Sequence, residues 1–428
     1  MMMTTGMARI DGVLALVAAV GVLGVMACSA DAGPSLGADA DGDAAVQTDW
    51  LRNPLGRVDT RYAWSSADAT TNASAKNWSQ GESANVRVAD TGLRLAPDAD
   101  RGYPWRGVWT GPVVEPDHPI TELLPSWNLT CPPDAGVSFE VRVLMASNDA
   151  EPDPGEGAWS PWLDIGVWGR TSPGGPTRFD AGRVLIDVLK LSAPASAFQV
   201  RARLESFAPD PNVSATLRKL VVVASGPGEP SSAQLSAPPT PIVRIDESPR
   251  AEPAWARDLP VDFRTQQDNA PAIRGRTCSP TSVSMAMDYQ GVDLPTGDHA
   301  MGIFDDRAGI FGNWGRAVAW ASTHGLEAEL VRIRDWRQLE ACIAAGQPVI
   351  ASIAFGPGEF PSNVMKQTAG HLILIRGLTA DGHAIVNDPA SADRGDGVVY
   401  QKQELARAWL ANGGVAYLIT RPNTPGGS

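Results

Sequence analysis

The amino-acid sequence predicts two domains of different class, an all-β sandwich or jelly roll over residues 50–225 and an α+β domain over 255–422. Three observations carry this. In the first region apolar residues recur at every second position, the period of a strand with one buried face. A stretch at 226–254 then places Pro227, Pro230, Pro238, Pro239, Pro241, Pro249 and Pro253 among Ser, Ala and Gly, the composition of a semi-extended linker. Beyond it the apolar spacing is first helical and later strand-like.

The all-β reading rests on particular runs. Val137, Phe139, Val141 and Val143 alternate with Ser138, Glu140 and Arg142; Val200, Ala202 and Leu204 alternate with Arg201, Arg203 and Glu205. A third run spans 217–223. Turn clusters such as Pro152-Asp153-Pro154-Gly155 and Ser172-Pro173-Gly174-Gly175-Pro176 punctuate the region, as short antiparallel strands require. Nine of the 14 tryptophans fall here, among them Trp105, Trp109, Trp127, Trp159, Trp162 and Trp168. They read either as packing between sheets or as exposed rings that stack on a carbohydrate or cell-wall ligand.

Residues 1–28 read as a lipoprotein-type signal peptide. Arg9 precedes an uncharged run at 12–27 that is too short and too rich in Gly and Ala for a comfortable membrane span. It closes Val25-Met26-Ala27-Cys28, which resembles a bacterial lipobox, where the cysteine is lipidated and becomes the mature N-terminus. The expectation is an extracytoplasmic chain held to the membrane through lipid on Cys28, with plain secretion or an uncleaved anchor as alternatives. Residues 29–49, acidic and without Lys or Arg, read as a solvated tether. A lipidated Cys28 leaves Cys131, Cys278 and Cys342, which cannot all pair, so a disulfide framework does not shape the fold. A net charge of −13 with scattered arginines excludes a nucleic-acid partner.

In the α+β region, Arg276-Thr277-Cys278-Ser279-Pro280-Thr281-Ser282 opens a helix. Ser279 is a capping type, Pro280 is a favoured first helical residue, and Val283, Ala286 and Met287 recur at helical spacing before Gly291. Cys278 therefore stands at a helix start, where unsatisfied N–H groups and the helix dipole favour a thiolate. Further helices are expected at 314–324, 335–345 and 403–410, and strands at 348–355, 371–376, 383–387 and 415–420. A loop at 356–361 is expected to border a cleft. Cys342 reads as a core thiol, Cys131 as a loop residue without a role, His299 as lying in a Gly/Asp-rich loop, and His324 as a helix end.

A cysteine nucleophile needs a base, and the base needs an orienting group. A four-residue turn at 379–382 would set His371 opposite residue 390 and bring Asp388 onto the same face, about 5.5 to 8 Å away between Cβ atoms. Asn387 and His383 would then point to the other face, with His383 at the surface; a three- or five-residue turn would reverse this. No HExxH, paired-cysteine, phosphate-loop or GxSxG pattern occurs, so no metal or cofactor is expected.

The blocks Leu259-Pro260-Val261, Gln266-Gln267-Asp268-Asn269, Cys278-Ser279-Pro280-Thr281-Ser282, Gly370-His371-Leu372-Ile373-Leu374-Ile375-Arg376-Gly377 and Val386-Asn387-Asp388-Pro389 together resemble the C39-like peptidase domain, a papain-like cysteine peptidase fold, over 255–422. The resemblance implies Cys278 as nucleophile, His371 as base and Asp388 as its orienter. It also implies Gln266, or the neighbouring Gln267, as the side-chain oxyanion donor. This chain departs from the family in carrying Ser279 where glycine usually follows the cysteine, which puts the wall of the oxyanion hole in question. Nothing resembles the transporter domains of C39 bacteriocin exporters, so their leader-peptide substrate is not carried over. The expected function is an exported cysteine peptidase acting on a peptide or protein substrate. The alternatives are a non-catalytic peptide- or cell-wall-binding surface lipoprotein and acyl transfer on cell-wall peptides by the same residues.

Overall fold

The computed structural model describes residues 50–66, 75–96, 103–145, 158–210, 212–240 and 253–422. The expected signal peptide, Cys28 and the tether lie outside the described residues, as does part of the Pro-rich stretch.

The amino-terminal region is strand-rich. Its main path of paired strands runs Gly182–Leu185, Val188–Ser206, Ile120–Thr130, Thr216–Pro227, Arg57–Ser65. The long strand Val188–Ser206 carries a register shift between Lys190 and Ala195. Up to Ala195, which still meets Ile120, the strand pairs with Ile120–Thr130; from Ala195 on it pairs with Ala135–Met145 and then Trp105–Thr110, so this one strand passes between two groups of strands. Trp127 and Phe139, from those two groups, stack with ring centroids 4.1 Å apart. Trp64, Trp78 and Trp109 are wholly buried in the same core. Trp159 and Trp162 instead lie over Arg142, at 4.6 and 4.7 Å, and Arg201 lies 4.4 Å from Trp162. The alternation rule gave the strands but not the fate of their polar residues. Glu140 and Glu205 are buried, held by Arg201 and Arg106.

The carboxy-terminal region has an antiparallel sheet in the order Glu327–Arg332, Val415–Thr420, Val349–Phe355, Thr368–Leu378, Ala384–Asn387, Val398–Tyr400. Helices Cys278–Tyr289, Trp314–Thr323, Trp336–Ala344 and Lys402–Trp409 lie close to the expected positions. Besides the short strands Arg257–Asp258 and Val398–Tyr400, two longer elements escaped the sequence. The strand Glu327–Arg332 carries Glu329 and Arg332, charges that disguise a strand whose ion-pair partners come from the other domain. Helix Thr296–Ile303 occupies the supposed Gly/Asp-rich loop, with Ala300, Ile303 and His299 buried. Gly302 is needed there for packing, since a Cβ would meet the Trp320 ring at 2.2 Å. His299 is thus a core helix residue and not a loop residue; its Nδ1 accepts from Trp320 Nε1 at 3.0 Å.

The two regions are closely joined. Glu327–Arg332 is an edge strand, and an edge leaves backbone groups without partners. Here Asn128 supplies them: its Oδ1 accepts from Ala328 N at 2.8 Å and its Nδ2 donates to Ala328 O at 2.7 Å. Ser126 Oγ accepts from Leu330 N at 3.1 Å. Ion pairs flank this seam, with Arg61 on Glu329, Lys219 on Glu327, Arg334 on Asp59, and Arg332 on Glu122. Asp187 accepts from Gly315 N at 2.6 Å, at the start of helix Trp314–Thr323. The stretch expected as linker also differs from a free tether. Gly226 and Pro227 still pair with Val58 and Arg57, and the short helix Ser232–Ser236 begins at a Ser231–Gln234 capping box. Gln338 Nε2 donates to Gln234 O at 3.1 Å, which fastens that helix to the carboxy-terminal region.

Candidate functional site

Cys278 is the first residue of its helix and is 6% exposed. The cap differs from the sequence expectation. Thr277 holds the N-cap position without a side-chain cap bond, and Ser279, inside the helix, points its Oγ to the Tyr417 hydroxyl 3.2 Å away in the core. Ser279 is therefore a buried packing residue, and its side chain is spent on Tyr417. Pro280, which has no N–H to leave unsatisfied, fits the first turn.

One turn along, Ser282 Oγ donates to Leu372 O at 3.0 Å. Residues four apart share a helix face. The face bearing Cys278 thus lies against strand Thr368–Leu378, the strand that carries His371.

His371 Nε2 donates to Asp388 Oδ1 at 2.7 Å, with both side chains buried. That bond leaves Nδ1 as the nitrogen able to take a proton. The register behind this meeting is instructive. The hairpin connection is five residues, 379–383, closed by Thr379 N on His383 O and by Gly382 at φ 79°. A five-residue turn alone would turn His371 and Asp388 to opposite faces. A bulge at Arg376 absorbs the extra residue, so Ile375 pairs with Val386 and Leu374 with Asn387, as the four-residue turn would have given. His383 is half-buried, where a surface residue was expected, because its Nδ1 accepts from Lys402 N at 3.2 Å. Asn387 faces away, accepting from Arg376 and donating to Val261 O.

Burial pushes the Asp388 carboxyl up, but His371, the Tyr400 hydroxyl at 2.6 Å and the Ala390 N–H at 2.9 Å outweigh it. The net effect holds Asp388 below the usual carboxylate range, as an anion facing an imidazole.

Gln266 opens the short 3-10 helix Gln266–Asp268, and its backbone N–H bonds Pro389 O at 3.0 Å, one residue past Asp388. Its side chain is buried, with Oε1 bonded to no protein group. Gln267 is committed elsewhere, with Nε2 on Ala390 O at 3.3 Å. Asn269 Nδ2 donates to Thr277 Oγ1 at 3.0 Å, tying the glutamine segment to the residue before Cys278. The blocks at 265–269, 277–282, 371–372 and 388–390 therefore close on one another. Sequence reasoning missed Asn269 and Tyr400 as members of this ring. Asn269 lay in a quoted block without a role, and nothing in Val398-Val399-Tyr400 distinguishes its Tyr from an ordinary strand aromatic.

Cys342 is buried and Cys131 half-buried; burial pushes each thiol up to about 12, so neither competes as a nucleophile. Among the described residues no three His, Cys, Asp or Glu side chains are grouped to hold a metal ion, and no helix is long and apolar enough to cross a membrane.

No curated protein matches the chain significantly. Residues 258–417 match the Peptidase C39 like family, and residues 66–225 match the Peptidase C39 N-terminal domain. The chain therefore has a two-domain architecture in which a strand-rich region of the C39 N-terminal kind precedes a C39-like peptidase domain.

Proposed function

We propose that the chain hydrolyses peptide bonds through Cys278, His371 and Asp388, on a papain-like arrangement in which a cysteine helix precedes the sheet bearing the other two. The observation that carries this is the buried 2.7 Å bond from His371 Nε2 to Asp388, which turns Nδ1 into the available base beside the helix face of Cys278. The thiol proton passes to His371 Nδ1, and the thiolate attacks the peptide carbonyl carbon, forming a C–S bond as the π pair moves onto oxygen. Gln266 Nε2–H and the Cys278 N–H are suited to hold that oxyanion, and a donor so placed contributes about 3 kcal/mol. Collapse breaks the C–N bond, and the imidazolium gives its proton to the leaving amine. Water then loses a proton to Nδ1, attacks the thioester and releases Cys278. Asp388, ionised and fixed, holds the imidazole in its tautomer throughout.

The test is incubation of a denatured protein mixture with wild type and with Cys278→Ala. Cleavage by the wild type alone is expected; cleavage that survives the substitution rules the mechanism out. A folded chain that binds peptides without cutting them would support the binding-protein alternative. We also propose an extracytoplasmic location with lipid on Cys28, motivated by the Val25-Met26-Ala27-Cys28 motif. Detergent-phase partition that is unchanged in Cys28→Ser would refute it.

A further inference from the structure

We propose that Tyr400 is a positioning residue of the reaction, fixing Asp388 in the orientation that His371 requires and tying the loop before His371 to the site. This rests on the peptidase reading above. The two Asp388 oxygens are used unequally: Oδ1 takes His371 Nε2 and the Ala390 N–H, whereas Oδ2 takes the Tyr400 hydroxyl at 2.6 Å. Asp388 is wholly buried, so water does not replace a lost donor. Without Tyr400 the carboxylate is free to exchange its oxygens, and its undivided charge then bears on the imidazole.

The same hydroxyl accepts from Val364 N at 3.3 Å, and the Tyr400 ring packs edge-on against Phe360 at 4.9 Å. Phe360 and Val364 belong to the segment that joins strand Val349–Phe355 to strand Thr368–Leu378, on which His371 sits. Tyr400 thus stands at the junction of acid, base strand and loop. Its position is rigid, since Tyr400 is fully buried and pairs with Ala384 across the sheet. Burial and the Asp388 carboxylate keep the hydroxyl protonated, so it acts as a donor.

The test is Tyr400→Phe, which keeps the ring and its Phe360 contact and deletes one oxygen. Cleavage of a denatured protein substrate is expected to fall about tenfold, in kcat with KM little changed, because orientation is lost and binding is not. The alkaline limb of the kcat/KM profile is expected to move up by about half a pH unit, since a carboxylate with one donor fewer holds the imidazolium more tightly. If Tyr400 acts through Asp388, Tyr400→Phe added to Asp388→Asn slows the enzyme by less than about twofold further. An unmoved limb, or losses that multiply in the double variant, overturns the proposal. So does a Tyr400→Phe protein that unfolds at lower temperature yet keeps the wild-type profile. Cys278→Ala in the same series separates the two inferences. Activity lost there with an unmoved Tyr400→Phe profile overturns the positioning role and spares the peptidase reading, whereas activity kept there overturns both.

Discussion

Asn128→Ala probes how the two regions are joined. The amide of Asn128 gives the edge strand Glu327–Arg332 the acceptor and donor that a neighbouring strand would otherwise supply, through bonds of 2.8 and 2.7 Å to Ala328 N and O. Asn128 and Ala328 are both buried, so truncation leaves two backbone groups without partners. Each such group costs about 1–3 kcal/mol, and together they should destabilise the protein by roughly 3–4 kcal/mol. Ser126→Ala removes one partner, that of Leu330 N, and should cost about half as much. Urea unfolding followed by tryptophan fluorescence reads both values from the midpoint shift. A cost below about 1 kcal/mol for Asn128→Ala, or equal costs for the two variants, would show that water can take over the edge and refute the reasoning.

Three further outcomes follow from buried groups. Burial raises Asp187 to about 7, with Asp305 adding to the shift and the helix-start N–H groups of Trp314 and Gly315 opposing it. The folded state then keeps its proton while the unfolded chain has lost it, so stability falls as pH rises from about 4 to 7. Asp187→Asn should be more stable than wild type by roughly 2–4 kcal/mol at pH 8 and equal to it near pH 4, a difference that thermal melts at the two pH values would detect. His299 has the opposite sign. Burial lowers it to about 3, with Arg264 next among the causes, so the unfolded chain takes up a proton first and stability falls as pH drops from 6.5 towards 3. His299→Gln should flatten that acid slope; an unchanged slope in urea titrations would assign the sensitivity elsewhere. At the site, Gln266→Ala should lower kcat by about 10²–10³-fold while Gln267→Ala costs at most about threefold, and the reverse order in steady-state assays would exchange their roles.

Much of the site was legible because its chemistry is periodic or local. Pro280 and the spacing of Val283, Ala286 and Met287 marked the Cys278 helix, and strand alternation linked His371 to Asp388. The second inference reached the right pair through a wrong turn length, since the bulge at Arg376 offset the fifth turn residue. A bulge depends on tertiary context and has no reliable mark in a run such as Leu374-Ile375-Arg376-Gly377. The domain seam was not legible at all. Glu329, Arg332 and Arg334 gain their partners only when folding brings Arg61, Glu122 and Asp59 opposite them. The role of Asn128 exists only beside Ala328. The nine amino-terminal tryptophans divided: Trp64, Trp78, Trp109, Trp127 and Trp168 are core, and Trp50 and Trp105 pack partly buried against a core, which leaves Trp159 and Trp162, stacked on arginine, as the pair on which a sugar-binding test would focus.

The central claim is that His371 and the helix start make Cys278 a nucleophile. It is tested most directly by the pH dependence of iodoacetamide labelling at Cys278 in wild type and His371→Ala. An ordinary thiol, with pKa near 8.5, is only about 3% thiolate at pH 7. The account predicts wild-type labelling that rises at least about two pH units below that value and moves back towards it when His371 is removed. Labelling that titrates near 8.5 in both proteins would contradict it.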